Sequence, residues 1–287
     1  MIANINGKKI AYEIFGEGPL TDPASAHPVL FLIHGGPGLD HSGFKIHSLD
    51  LQDSAQLVLF DLTGHGKSSG HPAAHTLEGA IEDVEDLRCY LKLEKISCLG
   101  FSYGGKVALG YAIKYPARLD RLFLICTAHH FGFIERSRVE FAKRNPTPAQ
   151  LAVFNRLCDG QIKDRTDFIE YFNQLGPLYS KNIARQRALS GGVSTSTWDD
   201  MILGHEASNV AYQTEFWRYD YASQLNQIRC PTLILGADDD WMCPPEFSVE
   251  MASKIPHAKL VVFEGCGHIL PIDQNARYLE LVRAELI

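Results

Sequence analysis

The sequence predicts an α/β fold in which a mostly parallel central sheet is flanked by helices and interrupted by an inserted helical cap. Three observations predict it. From about Val29 onward short apolar runs alternate with helical patterns, the signature of βαβ units. Each run is followed by Gly, Asp or His residues that suit turns. Between His129 and about Phe216 the pattern becomes helical only, and the alternation resumes at Cys230-Pro231-Thr232. The 287 residues suffice for one sizeable core with an elaboration but are few for two independently folding domains. The expected division is therefore a core of residues 1–128 and 217–287 and a cap of residues 129–216.

Taken in order, Met1 to Gly16 alternates polar and apolar residues around Asn6-Gly7, which reads as a β-hairpin with an Asn-Gly turn rather than a signal peptide. Core strands are expected at Val29–Ile33, Leu57–Phe60, Ile96–Leu99, Leu122–Cys126, Thr232–Leu235 and Leu260–Phe263. A helix should begin near Gly104 and another near Pro245, and the cap should contain helices at Thr147–Asp159 and Asp164–Leu175. Neither an internal repeat nor a low-complexity tract interrupts this plan. Ligands of open α/β sheets bind beyond the carboxyl ends of the strands, so the chemistry is expected there.

Composition removes several function classes. Hydrophobic residues make up 45% and charged residues 21%, ordinary globular usage. A net charge of −7, a pI near 5.9 and the absence of a basic run argue against nucleic-acid binding. The longest apolar runs, such as Pro28 to Ile33, are far shorter than the roughly 18 residues that span a bilayer. Seven cysteines (Cys89, Cys98, Cys126, Cys158, Cys230, Cys243, Cys266) are odd in number and mostly embedded in apolar stretches, which suits free thiols in a reducing compartment. A cytoplasmic protein is expected; nothing in the composition sets an oligomeric state. No His-Glu-x-x-His or paired Cys/His spacing is present, and His129-His130 lack a carboxylate or cysteine partner at ligand spacing. Neither a metal nor another cofactor is expected.

The strongest local signal is Leu99-Gly100-Phe101-Ser102-Tyr103-Gly104-Gly105, a Gly-x-Ser-x-Gly turn between a strand and a helix. Such a turn aims a serine Oγ outward at a helix N-terminus, and glycine at the flanking positions lets neighbouring backbone pass. Free N–H groups and the helix dipole there favour developing negative charge. His34-Gly35-Gly36-Pro37-Gly38 directly follows the apolar strand ending at Ile33. A serine turn of this kind draws one oxyanion donor from such a loop and one from the residue after the serine. That assigns the Gly36 and Tyr103 N–H groups, with Gly35 as the alternative loop donor. Gly265-Cys266-Gly267-His268 follows the last strand, so that among 12 histidines His268 alone is carried by a late Gly-rich turn, free to reach Ser102 as its base. An acid belongs between serine and histidine in chain order, and Asp238-Asp239-Asp240 stands there, just past a strand. Counting from Gly236 favours Asp239; Asp240, which precedes a Trp-x-Cys-Pro segment, is the other candidate. The two remaining carboxylates would be a solvated loop or a cap for the helix near Pro245.

Together these motifs resemble the α/β-hydrolase superfamily, and His34 to Gly38 is similar to its prolyl iminopeptidase-like branch. The resemblance covers nearly the whole core. It extends to Asp61-Leu62-Thr63-Gly64-His65-Gly66-Lys67-Ser68, which matches an Asp-x-x-Gly-x-Gly-x-Ser loop, and to Asp240-Trp241-Met242-Cys243-Pro244-Pro245, similar to the group's acid loop. It implies an α/β-hydrolase fold with a helical cap, metal-independent acyl transfer, and Asp240 as the acid. Two departures bear on substrate. Thr63 stands where an arginine is common, and the cap lacks the Trp-Glu-rich pattern with which iminopeptidases hold a free amine. Glu206, Glu215 and the Trp198-Asp199-Asp200 run are the carboxylates available for that task, although acidic residues on a cap helix are more often a solvated face. Gly35, Phe101, Trp241 and the pair His129-His130, which follows the Cys126 strand, are expected at the substrate pocket. The expected function is a serine hydrolase acting through an acyl-enzyme on a small amide or ester, with prolyl iminopeptidase-like release of N-terminal proline or small residues. A carboxylesterase or lactonase is the alternative, and a silent small-ligand-binding homologue the reading from another class.

Overall fold

A computed structural model describes residues 1–21, 27–70, 75–189 and 201–286. Its strands are β1 (Ile2–Ile5), β2 (Lys8–Phe15), β3 (Val29–Ile33), β4 (Gln56–Phe60), β5 (Ile96–Phe101), β6 (Leu119–Ile125), β7 (Thr232–Ala237) and β8 (Ala258–Phe263). They form one sheet in the order β1-β2-β4-β3-β5-β6-β7-β8. The first two pairings are antiparallel and the remaining five parallel. Asn6 and Gly7 join β1 to β2 with φ of 48° and 80°, the left-handed pair that an Asn-Gly hairpin turn supplies.

The central strands read as continuous apolar runs because both faces are covered. Leu30 to Ile33 and Leu57 to Phe60 are all fully buried. Their alternation still sorts them: Phe31, Ile33, Val58 and Phe60 enter one layer, while Leu30, Leu32, Leu57 and Leu59 enter the other. Several strands run one or two residues longer than expected, and β6 differs at both ends. β6 begins three residues earlier, at Leu119, where it pairs with Ile96 before a register shift. It ends at Ile125, because Cys126 turns out of the strand with φ of 45°.

The helices are α1 (Gly43–His47), α2 (Leu77–Tyr90), α3 (Tyr103–Lys114), α4 (Phe133–Ala142), α5 (Pro148–Cys158), α6 (Arg165–Tyr179), α7 (Lys181–Leu189), α8 (His205–Gln213), α9 (Pro245–Lys254), α10 (Leu270–Asp273) and α11 (Asn275–Leu286). The described chain between β6 and β7 is helical, α4 to α8, without a strand of the sheet. Local sequence explains where these helices start. Thr147 and Gln150 form a reciprocal capping box ahead of Pro148, and Asp164 accepts the Asp167 N–H at the start of α6. Among the described residues no helix is long and apolar enough to cross a membrane. The seven cysteines are free thiols, Cys89 exposed and the others buried.

Candidate active site

The serine turn is built by backbone that passes too closely for side chains. A Cβ on Gly104 would lie 1.9 Å from the Ile33 carbonyl oxygen, and one on Gly100 would lie 2.3 Å from the Gly104 oxygen. α3 therefore packs its first turn directly against the end of β3. Ser102 itself takes φ 54° and ψ −113°, a strained conformation for a residue with a Cβ. Three bonds hold it: its N–H donates to Ile125 O (2.9 Å), and its own carbonyl accepts from the Gly105 N–H (3.0 Å) and Thr127 Oγ1 (2.7 Å).

His268 is delivered to this serine by the loop after β8. Its Nε2 lies 2.9 Å from Ser102 Oγ, and its Nδ1 lies 2.9 and 2.8 Å from Asp240 Oδ1 and Oδ2. With Nδ1–H donating to the carboxylate, Nε2 is left as an acceptor for the serine hydroxyl. The ring is wedged between Phe101 and Tyr179, with centroids 5.3 and 5.5 Å away. Gly267 admits that approach, since a Cβ there would lie 2.4 Å from Tyr179 O.

Each of the three consecutive aspartates has a different task. Asp240, 2% exposed, accepts the Met242 and Cys243 N–H groups at 2.9 and 2.8 Å, which fixes its carboxylate toward His268. Asp239 turns outward to the side chains of Lys181 and Arg144. Asp238 accepts the Gly265 and Cys266 N–H groups at 3.0 and 3.2 Å and so braces the loop that carries His268. Neither neighbour caps α9, whose N-cap is Pro244 with no side-chain bond.

The loop after β3 turns on glycines in the left-handed region. Gly36 takes φ 122° and Gly38 φ 92°, and a Cβ on Gly38 would lie 2.6 Å from Gly204 O. His34 anchors the loop from behind: its Nδ1–H donates to Gly35 O (2.8 Å), and its Nε2 accepts the Leu62 N–H (3.2 Å). Burial pushes its pKa down, in keeping with this neutral tautomer. Tyr103 opens α3, so its N–H has no acceptor within the helix. Its phenol is turned away to His75 Nε2, 2.6 Å off. The Asp-x-x-Gly-x-Gly-x-Ser loop has a bracing role: Asp61 accepts from the His41 N–H and Nδ1 (3.0 and 2.6 Å) and from the Lys67 N–H (2.8 Å). Thr63 binds Asp83 through both its N–H and its hydroxyl.

A cleft opens over Ser102 and His268, lined mostly by aromatic and aliphatic side chains of the sheet ends and inserted helices. Gly35, Gly36 and Phe101 line it. His129, His130 and Trp241 do not, and their packing explains this. His129 is fully buried with its ring against His130 and Phe247 of α9, because the bend at Cys126 turns the chain away from the cleft. His130 accepts the Gly132 N–H at 3.0 Å and packs on the same Phe247. Trp241 fills a space among Phe141, Phe154 and Tyr179 and donates Nε1–H to Leu178 O (3.0 Å).

The carboxylate that His129 and His130 lack along the sequence comes from Glu250, whose oxygen falls with their ring nitrogens inside a 4.8 Å group. Glu206 is exposed and Glu215 accepts the Leu77 N–H at 3.1 Å; neither lines the cleft. The Trp198-Asp199-Asp200 run lies outside the described residues. Asp40 is the carboxylate that lines the cleft among the described residues. Both its oxygens are engaged, one by Ser42 and the other by the Ile202 N–H at 2.8 Å. Lys106, in the first turn of α3, also lines it and escaped the sequence reading.

Comparison with known proteins follows the same lines. The family described as "alpha/beta hydrolase fold" matches residues 28–274. The chain is 30% identical to the proline iminopeptidase PfmaB of Pestalotiopsis fici, over 98% of this chain and 97% of that protein. It is 29% identical to a proline iminopeptidase of Lactobacillus helveticus, over 96% and 94%. Among solved structures, an alpha/beta fold family hydrolase from Bacillus anthracis superposes with a TM-score of 0.79 at 21% identity, covering 100% of this chain and 98% of that one. An enol-lactonase from Burkholderia xenovorans does so with 0.72 at 20%, covering 98% of both.

Proposed function

We propose, from the premise that this chain belongs to the alpha/beta hydrolase fold family, that it is a serine hydrolase of small, largely apolar esters or amides. Ser102 is the nucleophile, His268 the general base and Asp240 the group that orients the base. The observation that carries this reading is the unbroken contact from Ser102 Oγ through His268 to Asp240, at 2.9 and 2.8 Å. Ser102 Oγ attacks the carbonyl carbon while its proton passes to His268 Nε2, and the Asp240 carboxylate steadies the imidazolium. The oxyanion takes the N–H groups of Gly36 and Tyr103, with Gly35 as the alternative, at the positive end of α3. Collapse expels the alcohol or amine, which leaves with the proton from His268. Water then gives a proton to His268 and attacks the acyl carbon, which releases the carboxylic acid and restores Ser102.

Residues 129–216 serve as the cap that shapes the cleft over the core of residues 1–128 and 217–287. Six buried free thiols support a reducing, cytoplasmic setting.

Full-length similarity to proline iminopeptidases favours a second reading, the release of N-terminal proline. That reaction needs an anion for the free amine, and the carboxylate on the described part of the cleft, Asp40, is already engaged. Short nitrophenyl esters and the arylamides of proline and alanine separate the two. Ester turnover together with fluorophosphonate labelling of Ser102 is expected, and both should vanish in Ser102→Ala. Proline arylamide turnover would establish the second reading. Activity retained in Ser102→Ala, or a cleft that does not label, would overturn the hydrolase reading.

A further inference from the structure

The proposed hydrolytic residues leave a cation in the cleft, Lys106, unused. Lys106 is 2% exposed and lines the cleft. It stands in the first turn of α3, which begins just after Ser102, and both residues line the same cleft. Its Nζ stands 4.1 Å from the centroid of the Phe133 ring, 5.5 Å from Phe216 and 5.9 Å from Tyr219. An ammonium carries three N–H donors. Ring faces attract its charge, yet no hydrogen bond or ion pair joins it to an oxygen among the described residues.

An ammonium in such surroundings favours an anionic partner. A buried cation without a hydrogen-bonded partner loses its hydration and recovers little of it. Burial pushes the Lys106 pKa down, opposed by the neighbouring Cys243 and Asp240. Asp40, the cleft's carboxylate, is bound by Ser42 and Ile202 and makes no contact with Lys106. Packing alone would be served better by Leu or Met at this position, since either fills the same space with no charge to desolvate.

We infer that Lys106 anchors a carboxylate on the acyl part of the substrate, so that this hydrolase takes acyl chains ending in a carboxylate a few methylenes from the scissile carbonyl. The inference rests on Ser102 being the nucleophile. Its complement is a cleft that disfavours ammonium-bearing acyl groups, which would meet Lys106 with like charge.

Boronic acids test both statements separately, since a serine nucleophile adds to boron whatever the rest of the inhibitor carries. Carboxyalkylboronic acids with two to four methylenes are compared with their methyl esters for protecting Ser102 of the full chain against fluorophosphonate labelling at neutral pH. The best carboxylate should protect at a concentration at least about tenfold lower than its ester, the size of one charge-assisted hydrogen bond. That ratio should fall to about one in Lys106→Met and stay several-fold in Lys106→Arg. Equal protection by acid and ester in the wild-type chain, which needs no variant to fold, overturns the role of Lys106. So does a carboxylate preference that survives in Lys106→Met. No labelling and no protection by either compound would instead overturn the assignment of Ser102, and the inference with it.

Discussion

His268 Nδ1 faces both carboxylate oxygens of Asp240, at 2.9 and 2.8 Å, while the adjacent Asp239 turns away to Lys181 and Arg144. One residue of chain thus separates a buried carboxylate aimed at the site from a solvent-facing one.

Asp240→Asn should lower kcat for a short nitrophenyl ester by about 10⁴, the effect expected when the histidine is left in the wrong tautomer. Asp239→Asn removes only partly exposed ion pairs, worth about 1 kcal/mol or less, and should leave kcat within a few-fold. The reverse ranking would move the orienting role to Asp239.

Trp241 sits beside Asp240 and joins the acid loop to the inserted helices. Its fully buried ring meets Phe141 of α4, Phe154 of α5 and Tyr179 at the end of α6. Trp241→Ala should cost about 3–5 kcal/mol of stability in urea unfolding. It should also reduce turnover through the loosened loop, with Trp241→Phe intermediate in both. A loss under about 1 kcal/mol would show that this cluster does not hold the loop.

The parallel strands were legible because burial on both faces writes them as continuous apolar runs, and the serine turn because close backbone approach demands glycine at Gly100 and Gly104. The choice among Asp238, Asp239 and Asp240 was not, since it depends on where a loop turns three identical side chains. His129 and His130 were misplaced for a similar reason. The left-handed Cys126 redirects the chain, and no residue type announces a positive φ at a cysteine. Glu206 was open to either face until Ala207, Ser208, Ala211 and Tyr212 took the buried side of α8.

Gly104→Ala should abolish fluorophosphonate labelling and destabilise the chain by about 3 kcal/mol or more, because its Cβ would meet backbone oxygens of Ile33 and His34 at 1.9 and 2.7 Å. Gly265→Ala is the contrast. Nothing lies within 4 Å of its Cβ, but φ is +67°, so only the left-handed backbone penalty of about 1–2 kcal/mol is expected. Thermal melting of the two variants beside the wild type checks the order, and equal effects would contradict the packing at Gly104.

Acid should destabilise the fold before carboxylates titrate. Burial, aided at His75 by His34 and at His129 by His130, lowers the pKa of His47, His75 and His129 from 6.5 to about 4. Between those values the unfolded chain holds these protons and the folded chain does not, so unfolding near pH 5 takes up about one proton for each of these three groups, and His34 and His65, whose pKa values burial also lowers, act in the same direction. Stability therefore falls as pH drops from about 6.5 to about 4 and is insensitive to these groups outside that window. His41 has the opposite sign: burial opposes its protonation but the bond to Asp61 prevails and raises its pKa, so its contribution is lost only as pH rises through that value. His129 isolates one proton of the effect, because its ring nitrogens make no hydrogen bond and Glu250 stands 3.5 Å from Nε2. His129→Leu should flatten the slope of unfolding free energy between about pH 5 and 6 by about one proton, and an unchanged slope would show that His129 is already charged in the folded state.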